Sequence, residues 1–278
     1  MASRGTFPWM RRIAVAYGAA RMPRRAVHVA GFAAAAGVVG ATALSPVHLD
    51  APRPIAAPRT VQDPATSQAL PAAMTVDCDG VPSTLRLVGL GVRTVTFLRM
   101  QVYVAGVYVD ERAVSEPHAA PAAELEPLFA QWLERGVPCA VRIMPVRGTD
   151  FGHLRDGLVR AVNVRAREAR KAGSAYALTD VAEARLADNI GALKQLFPRG
   201  SVPKGHLLDL VVWRAAGGAY TLALAYDEQR LGTVVCGAED ARAFAMPMHL
   251  LLAYVGARPD ISAPLRASIA HGLHEGLP

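Results

Sequence analysis

Residues 83–109 follow the short-period pattern of extended strands, with β-branched and aromatic residues recurring through three runs. These runs cover residues 83–88, 92–98 and 101–109, and a Gly89-Leu90-Gly91 segment separates the first two. We predict three strands with a turn at the two glycines. Arg93 follows that segment and is the only charge in the run 92–98, so it faces either water or a pocket that holds an anionic or electron-rich group.

Other apolar runs predict strands later in the chain. Residues 138–146 alternate in character, and residues 206–214 and 219–227 are joined by a segment that ends in Gly217-Gly218. Paired glycines supply the positive φ angles of a tight turn, so these two runs form a hairpin. We expect a further strand at residues 231–236.

The apolar residues elsewhere recur every three or four positions, which predicts helices. The predicted helices cover residues 122–135, 150–171, 180–198, 238–254 and 261–273, and Pro247 is expected to kink the fourth. The second is capped by Thr149 or Asp150 and buries Leu154, Leu158 and Val162. The charged positions of its outer face predict a solvated surface: Arg160, Arg165, Arg167, Glu168 and Arg170. Clustered strands and grouped helices indicate an α+β fold with an antiparallel sheet.

Positive charge is concentrated in the first 73 residues. The chain has 278 residues and a net charge of +7. Eight Arg and two Asp give +6 for residues 1–73, and the other 22 basic and 21 acidic residues give +1. We therefore exclude nucleic acid as a partner of the folded part, predicted to be residues 74–278.

The basic, acid-free start predicts a mitochondrial presequence over residues 1–25, with a disordered basic tail as the alternative. Residues 26–44 carry no formal charge and are long enough to span a bilayer, so we expect a single transmembrane anchor over residues 26–45. The alternative is a longer cleavable leader. Six prolines between residues 46 and 71 indicate an extended tether over residues 46–73.

Several kinds of chemistry have no motif in this chain. It lacks a phosphate-binding P-loop and a nucleophile elbow, and a strand rather than a helix is predicted after Gly91, which excludes a dinucleotide turn. The three cysteines show no ligand spacing, and the histidines stand at no metal-binding spacing, so no metal site is predicted. Haem needs only one or two axial donors, and His153 and His249 lie on predicted helices.

Two segments resemble a known family. Residues 89–110, GLGVRTVTFLRMQVYVAGVYVD, resemble the entry segment of chalcone-isomerase-fold proteins. Residues 142–162, RIMPVRGTDFGHLRDGLVRAV, resemble the fungal mitochondrial inner-membrane branch of that family, the altered inheritance of mitochondria proteins. The resemblance implies an open-faced β-sandwich, in which a large antiparallel sheet is backed by helices with a ligand cleft between them.

The resemblance also implies where the cleft residues lie. Arg93 matches the arginine that positions the substrate of catalytic members. The strand threonine position falls at Tyr103, and the C-terminal threonine position falls near Ala253. The helix tyrosine and asparagine positions fall at Phe151 and Leu158. Such exchanges remove groups that orient the reacting carbonyl, and that positioning is worth several kcal/mol of barrier lowering.

The resemblance therefore predicts a non-catalytic binding protein of the mitochondrial inner membrane, with haem as the ligand. Arginine pairs well with a propionate, and His153 and His249 are the candidate axial donors. The alternatives are an intramolecular lyase of the chalcone-isomerase type that uses Arg93, and a fatty-acid carrier. If the anchor is present, the charge asymmetry favours the intermembrane space for the folded domain.

Overall fold

The computed structural model describes residues 59–95, 100–115, 118, 120–171, 178–238, 244–258 and 260–277. The strands are β1 (Thr60–Gln62), β2 (Ala69–Pro71), β3 (Ala73–Cys78), β4 (Val81–Val95), β5 (Met100–Asp110), β6 (Cys139–Pro145), β7 (Thr149–Asp150), β8 (Ser201–Val202), β9 (Leu208–Arg214), β10 (Tyr220–Tyr226) and β11 (Gln229–Cys236). The helices are α1 (Leu125–Glu134), α2 (Phe151–Ala169), α3 (Asp180–Leu196), α4 (Met246–Val255) and α5 (Ala263–Glu275).

Seven strands form one antiparallel sheet in the order β11-β10-β9-β6-β5-β4-β3. Alternate residues of β5 point to opposite faces, as the period of a strand requires. Tyr103, Ala105 and Val107 belong to the core beneath the helices. Val104 and Tyr108 face the other side, where the β1–β2 ladder covers them with Leu70. The predicted α+β architecture, a large antiparallel sheet backed by helices, is confirmed.

The packed structure begins before the predicted boundary at residue 74. Val61 and Leu70 are buried, and β1 and β2 pair within the stretch that was predicted to be tether. The β1–β2 ladder packs on the sheet face that has no helix, which explains why apolar residues occur between its prolines and threonines.

The predicted presequence and anchor lie outside the described residues. The same holds for most of the predicted tether. Among the helices that the structure describes, none has both the length and the apolar character needed to cross a bilayer.

The Gly89-Leu90-Gly91 segment is not a turn, which corrects the sequence prediction. β4 runs through it without a break, and both glycines lie under α5. A Cβ at Gly91 would lie 2.5 Å from the backbone nitrogen of Leu265, and a Cβ at Gly89 would lie 2.5 Å from that of Ile269. The glycines therefore let a helix backbone rest directly on a strand backbone.

Two further expectations about the helices were wrong. Pro247 lies in the first turn of α4, where a missing N–H leaves no helical hydrogen bond unmade, so it starts the helix and does not kink it. Arg165 was placed on the solvated face of α2 but is 7% exposed and lies between helices.

Every residue of α4 is buried, so α4 is a central helix of the core rather than a surface helix.

The close approach of α5 to β4 gives a stability prediction. Replacing Gly91 with Ala forces the two backbones apart, and we expect the free energy of unfolding to fall by about 3 kcal/mol, the upper end for overpacking. Gly191→Ala is the matched control, because no neighbouring atom lies within 4 Å of the place that a Cβ would take at this position of α3. We expect that variant to be unchanged or up to about 1 kcal/mol more stable. Equal urea midpoints for the two variants would contradict this role of Gly91.

Candidate functional site

A cavity of about 760 Å³ lies between the sheet and α2. Its volume is within the range of small-molecule sites. Its apolar wall comes from Val95, Val102, Ile143, Leu154 and Leu158. Its polar groups are Arg93, Tyr103, Arg147, Thr149, Asp150, His153, Asp156, Arg160 and Tyr254.

Arg93 and Tyr103 are held together by the register of the sheet. The two residues are direct partners across β4 and β5, so their side chains lie on the same face. Arg93 Nη1 donates a hydrogen bond to the Tyr103 hydroxyl at 2.9 Å. The register shifts immediately beyond this pair, with Val102 as the extra residue of β5. This bulge explains why Val102 and Tyr103, which are sequence neighbours, both line the cavity.

A third polar group reaches the same point from the helical layer. The Tyr254 hydroxyl, at the end of α4, lies 3.1 Å from the Tyr103 hydroxyl, and either can be the donor. Tyr103 and Tyr254 are 4% and 1% exposed. The chain Arg93–Tyr103–Tyr254 therefore places one cation and two hydroxyl groups along one wall of the cavity.

The protonation states of this chain follow from burial and neighbours. Burial would lower the pKa of Arg93, but the two tyrosine oxygens outweigh it and the pKa lies above its ordinary value. Burial, assisted by Tyr103, raises the pKa of Tyr254 well above its ordinary value, against the opposing effect of Arg93. At neutral pH the site thus holds a charged guanidinium beside a neutral Tyr254 hydroxyl.

Arg93 differs from the other arginines of the interior in its partners. Arg142 makes a two-pronged ion pair with Asp209, and Arg165 pairs with Glu126. Within the described ranges, Arg93 forms no ion pair with a carboxylate. The two acidic residues of the cavity wall are already engaged, Asp150 with His153 and Asp156 with Arg155. A half-buried cation whose described hydrogen-bond partner is a neutral hydroxyl group is able to attract an anion into the cavity.

The backbone that carries Arg93 is fixed by α5. The Ser262 hydroxyl donates to the carbonyl oxygen of Val92 at 2.7 Å, and the backbone N–H of Leu90 donates to the Ser268 hydroxyl at 3.1 Å. Together with the helix contact at Gly89 and Gly91, these bonds hold the part of β4 that directly precedes Arg93.

The structure brings together four of the seven residues that the sequence proposed for the site. Arg93, Tyr103, Leu158 and His153 line the cavity. Phe151 does not line it, because its ring packs edge-on against Tyr226 at 4.9 Å. Ala253 is fully buried and also does not line it, because the next residue, Tyr254, projects there instead.

The two candidate axial histidines have opposite surroundings. His153 lies at the cavity mouth with its side chain 79% exposed, and its Nδ1 lies 2.6 Å from Asp150 Oδ2. Asp150 also caps α2 by accepting the backbone N–H of His153 at 2.7 Å. One carboxylate therefore fixes both the start of the helix and the histidine ring.

His249 belongs to the contacts between helices and does not line the cavity. Its ring is stacked on Phe244 at 3.8 Å, and its Nδ1 accepts from Arg165 Nε at 3.1 Å. Arg165 also donates to the carbonyl oxygen of Arg258 at 3.1 Å and pairs with Glu126. Arg165 thus links α1, α2 and α4. Burial, assisted by Arg165, lowers the pKa of His249 well below its ordinary value.

The sequence did not identify Tyr254 as a site residue. The available signal was a tyrosine near the end of an otherwise apolar segment, AMPMHLLLAYV. A buried tyrosine usually places its hydroxyl against a polar partner, so the sequence could have suggested that the Tyr254 hydroxyl lies near Arg93. The sequence also did not identify Arg147 and Arg160 as cations at the rim of the cavity. Arg160 was assigned to the solvated face of α2.

Comparison with protein families gives a match to the model described as "Chalcone isomerase like", over residues 83–125 and 118–270. Among curated proteins, the chain is 28% identical over 210 residues to "Altered inheritance of mitochondria protein 18, mitochondrial" of Debaryomyces hansenii, covering 67% of this chain and 65% of that protein. It is 33% identical over 165 residues to the protein of the same name from Eremothecium gossypii, covering 49% and 50%. The chain thus spans less than two thirds of the length of these relatives.

Among solved structures, the chain is similar to an Arabidopsis thaliana fatty-acid binding protein. The TM-score is 0.51 at 21% sequence identity, and the match covers 77% of this chain and 98% of that one. At this identity the likeness concerns the fold, and it agrees with the antiparallel sheet and helical layer described above.

The buried, neutral state of His249 predicts how stability depends on pH. The folded pKa lies below the unfolded one, so the unfolded chain binds a proton that the folded chain does not. The contribution of His249 to the free energy of unfolding is therefore fully present above about pH 6.5. Below that pH it decreases by at most about 1.4 kcal/mol per pH unit. His249→Gln should flatten that part of the curve in urea titrations. An unchanged slope in this variant would show that His249 is not the group responsible.

Proposed function

Because the chain belongs to the chalcone isomerase-like family, we propose that it is a non-catalytic protein that binds a hydrophobic molecule through a carboxylate. The observation that carries the proposal is the state of Arg93, a half-buried cation beside the apolar wall of the cavity, whose described partner is a hydroxyl group and not a carboxylate. A ligand carboxylate would take the free donors of the guanidinium and the hydroxyl group of Tyr103 or Tyr254. Charge-assisted bonds of this kind are about twice as strong as neutral ones.

We propose haem as the ligand. A flat apolar ring with propionates matches an apolar wall beside Arg93, with Arg147 and Arg160 as further cations of the lining. His153 fits the role of axial donor. Histidines that ligate metals usually hold a carboxylate with their other ring nitrogen, and the Nδ1 of His153 is held by Asp150 in this way. His249 does not fit, because Arg165 and Phe244 hold its ring away from the cavity. Bound haem would supply an iron centre at the cavity mouth.

A long-chain fatty acid is the second candidate. Arg93 beside an apolar wall of Val95, Val102, Ile143, Leu154 and Leu158 suits a carboxylate on an aliphatic chain. The structural neighbour from Arabidopsis is a fatty-acid binding protein, which supports this class of ligand for the fold.

The lyase alternative has weaker support. The hydroxyl groups of Tyr103 and Tyr254 could orient a carbonyl, but the positions implied for the other two polar groups offer none. Phe151 packs outside the cavity, and Leu158 lines it with an apolar side chain. Without those groups, the reacting atoms would lose positioning worth several kcal/mol.

We further propose that the protein is mitochondrial and is attached to the inner membrane, with its folded domain in the intermembrane space. The curated relatives carry the word mitochondrial in their names, which supports the organelle. The membrane and its side rest on the basic start of the chain and the uncharged residues 26–44.

Haem titration of the full chain tests the proposed ligand. We expect a Soret shift that saturates at one haem per chain. His153→Ala should alter the shape and position of the bound spectrum, because the axial donor is lost. Arg93→Gln should keep that spectrum but weaken affinity by about 10- to 100-fold, because a charged hydrogen-bonding partner of the propionate is removed.

His274→Ala is the matched control, since His274 is also exposed and lies near a carboxylate, that of Glu275. It should leave both the spectrum and the affinity unchanged. No Soret shift at stoichiometric haem would reject haem. If mass spectrometry of the purified protein then finds a bound fatty acid, the carrier is the correct function.

A further inference from the structure

A second, positively charged groove continues from the cavity along α2. It has a volume of about 510 Å³ and lies between α2 and α3. Its lining is formed by Asp156, Val159, Arg160, Asn163, Arg167, Arg170 and Lys194. Four of these seven side chains are cationic and one is acidic.

The groove is one continuous stripe of α2. Residues 156, 160, 163, 167 and 170 recur every three or four positions, so their side chains share a helix face. From Asp156 to Arg170 the stripe is about 21 Å long at the rise of an α-helix. Lys194, near the end of α3, adds a cation from the opposite wall.

The side chains that line the groove carry more positive than negative charge. Asp156 is paired with Arg155, and Arg170 is paired with Glu183. Arg160, Arg167 and Lys194 form no ion pair with any carboxylate in the part of the chain that the structure describes. Asp156 is the one carboxylate among the lining side chains, against four cations, so an external anion in the groove would reduce the repulsion between like charges. Since residues 74–278 carry a net charge of only +1, this is a local concentration of charge.

The groove and the ligand cavity are physically joined. Asp156 and Arg160 line both of them, and Arg147 adds another cation at the cavity mouth. Any surface that neutralises the groove therefore also lies next to the entrance through which a hydrophobic ligand must pass.

We propose that this groove docks the domain on an anionic membrane by binding phospholipid headgroup phosphates. Docking in this orientation places the cavity mouth near the bilayer, so an apolar ligand exchanges without crossing bulk water. The role of docking in ligand exchange rests on the proposed binding function. The docking itself depends only on the charges of the groove.

The chemistry of the groove favours phosphates on a membrane over a single soluble anion. Arginine binds phosphate through two parallel N–H donors, and Arg160 and Arg167 offer two such groups. They lie seven residues apart on one helix face, a separation of about 10 Å, which exceeds the size of one phosphate. A membrane surface presents many phosphates at once, and each nearby Lys or Arg contributes about 1 kcal/mol to such binding.

A fluorescent reporter beside the groove tests this contact directly in the full chain. Gln195→Cys introduces an exposed thiol next to Lys194, while the three native cysteines are buried and escape labelling. The labelled protein is mixed with phosphatidylcholine vesicles, with or without phosphatidylglycerol. We expect a blue shift of the reporter only with the anionic vesicles, and a loss of that shift at high salt.

Two charge variants of the labelled protein make the test specific. Arg160→Gln combined with Arg167→Gln should weaken the anionic-vesicle response by about 30-fold, because two groove cations are removed. Arg135→Gln combined with Lys204→Gln removes the same charge from exposed positions outside the groove and should change it by less than about 2-fold. The N-terminal region is identical in all three proteins, so it cannot cause a difference between them.

Three results would overturn the proposal. The first is a blue shift with neutral vesicles equal to that with anionic vesicles. The second is an equal response of the groove double variant and the control double variant. The third is a blue shift with soluble glycerol phosphate as large as that with vesicles. The last would assign the groove to a free phosphate compound. No ligand is present in these mixtures, so a failure here leaves the haem titration, and with it the proposed binding function, to be judged separately.

Discussion

The constraint on which this structure depends is a charged guanidinium that a hydroxyl group holds beside the apolar wall of a cavity. Arg93 is placed by the cross-strand pairing with Tyr103, and Tyr254 extends the polar chain from the helical layer. The arginines Arg142 and Arg165, elsewhere in the interior, have carboxylate partners. A half-buried charge without such a partner is costly for a protein to keep, and a bound carboxylate would offset that cost.

The surrounding fold supports this one side chain. α5 lies on β4 because two glycines leave no Cβ between the backbones, and Ser262 and Ser268 bond the strand on either side. The fully buried α4 carries Tyr254 to the cavity, and Arg165 locks that helix to α1 and α2 through His249, Arg258 and Glu126. The segments that position the site are therefore among the most tightly packed of the described structure.

Much of the architecture could be predicted from the sequence because it follows from periodicity. The amphipathic helix α1, the Asp150 cap of α2 and the β9–β10 hairpin each have a local pattern. The role of Gly89 and Gly91 could not be predicted in this way. A glycine pair looks the same in sequence whether it forms a turn or admits a helix that arrives almost 180 residues later. Arg165 was misplaced for a similar reason, since its partners lie on other helices.

The site was partly predictable, because Arg93, Tyr103, Leu158 and His153 do meet at one cavity. Tyr254, which lines the cavity, is the residue next to the one that the sequence indicated. The resemblance pointed to Ala253, and only the rotation of α4 decides which of two neighbouring side chains faces the cavity. The groove was missed because its arginines were assigned to a solvated helix face and residues 74–278 were judged by their net charge, while the spacing along α2 and the contribution of Lys194 from α3 concentrate charge locally.

The central claim is that Arg93 recognises a carboxylate on a hydrophobic ligand. The most direct measurement compares the dissociation constants of haem and of its dimethyl ester, which has nearly the same shape but lacks both negative charges. The account predicts that the acid binds at least about 10-fold more tightly, and that Arg93→Gln removes this preference. Equal affinity for the acid and the ester in the unmodified protein would contradict it.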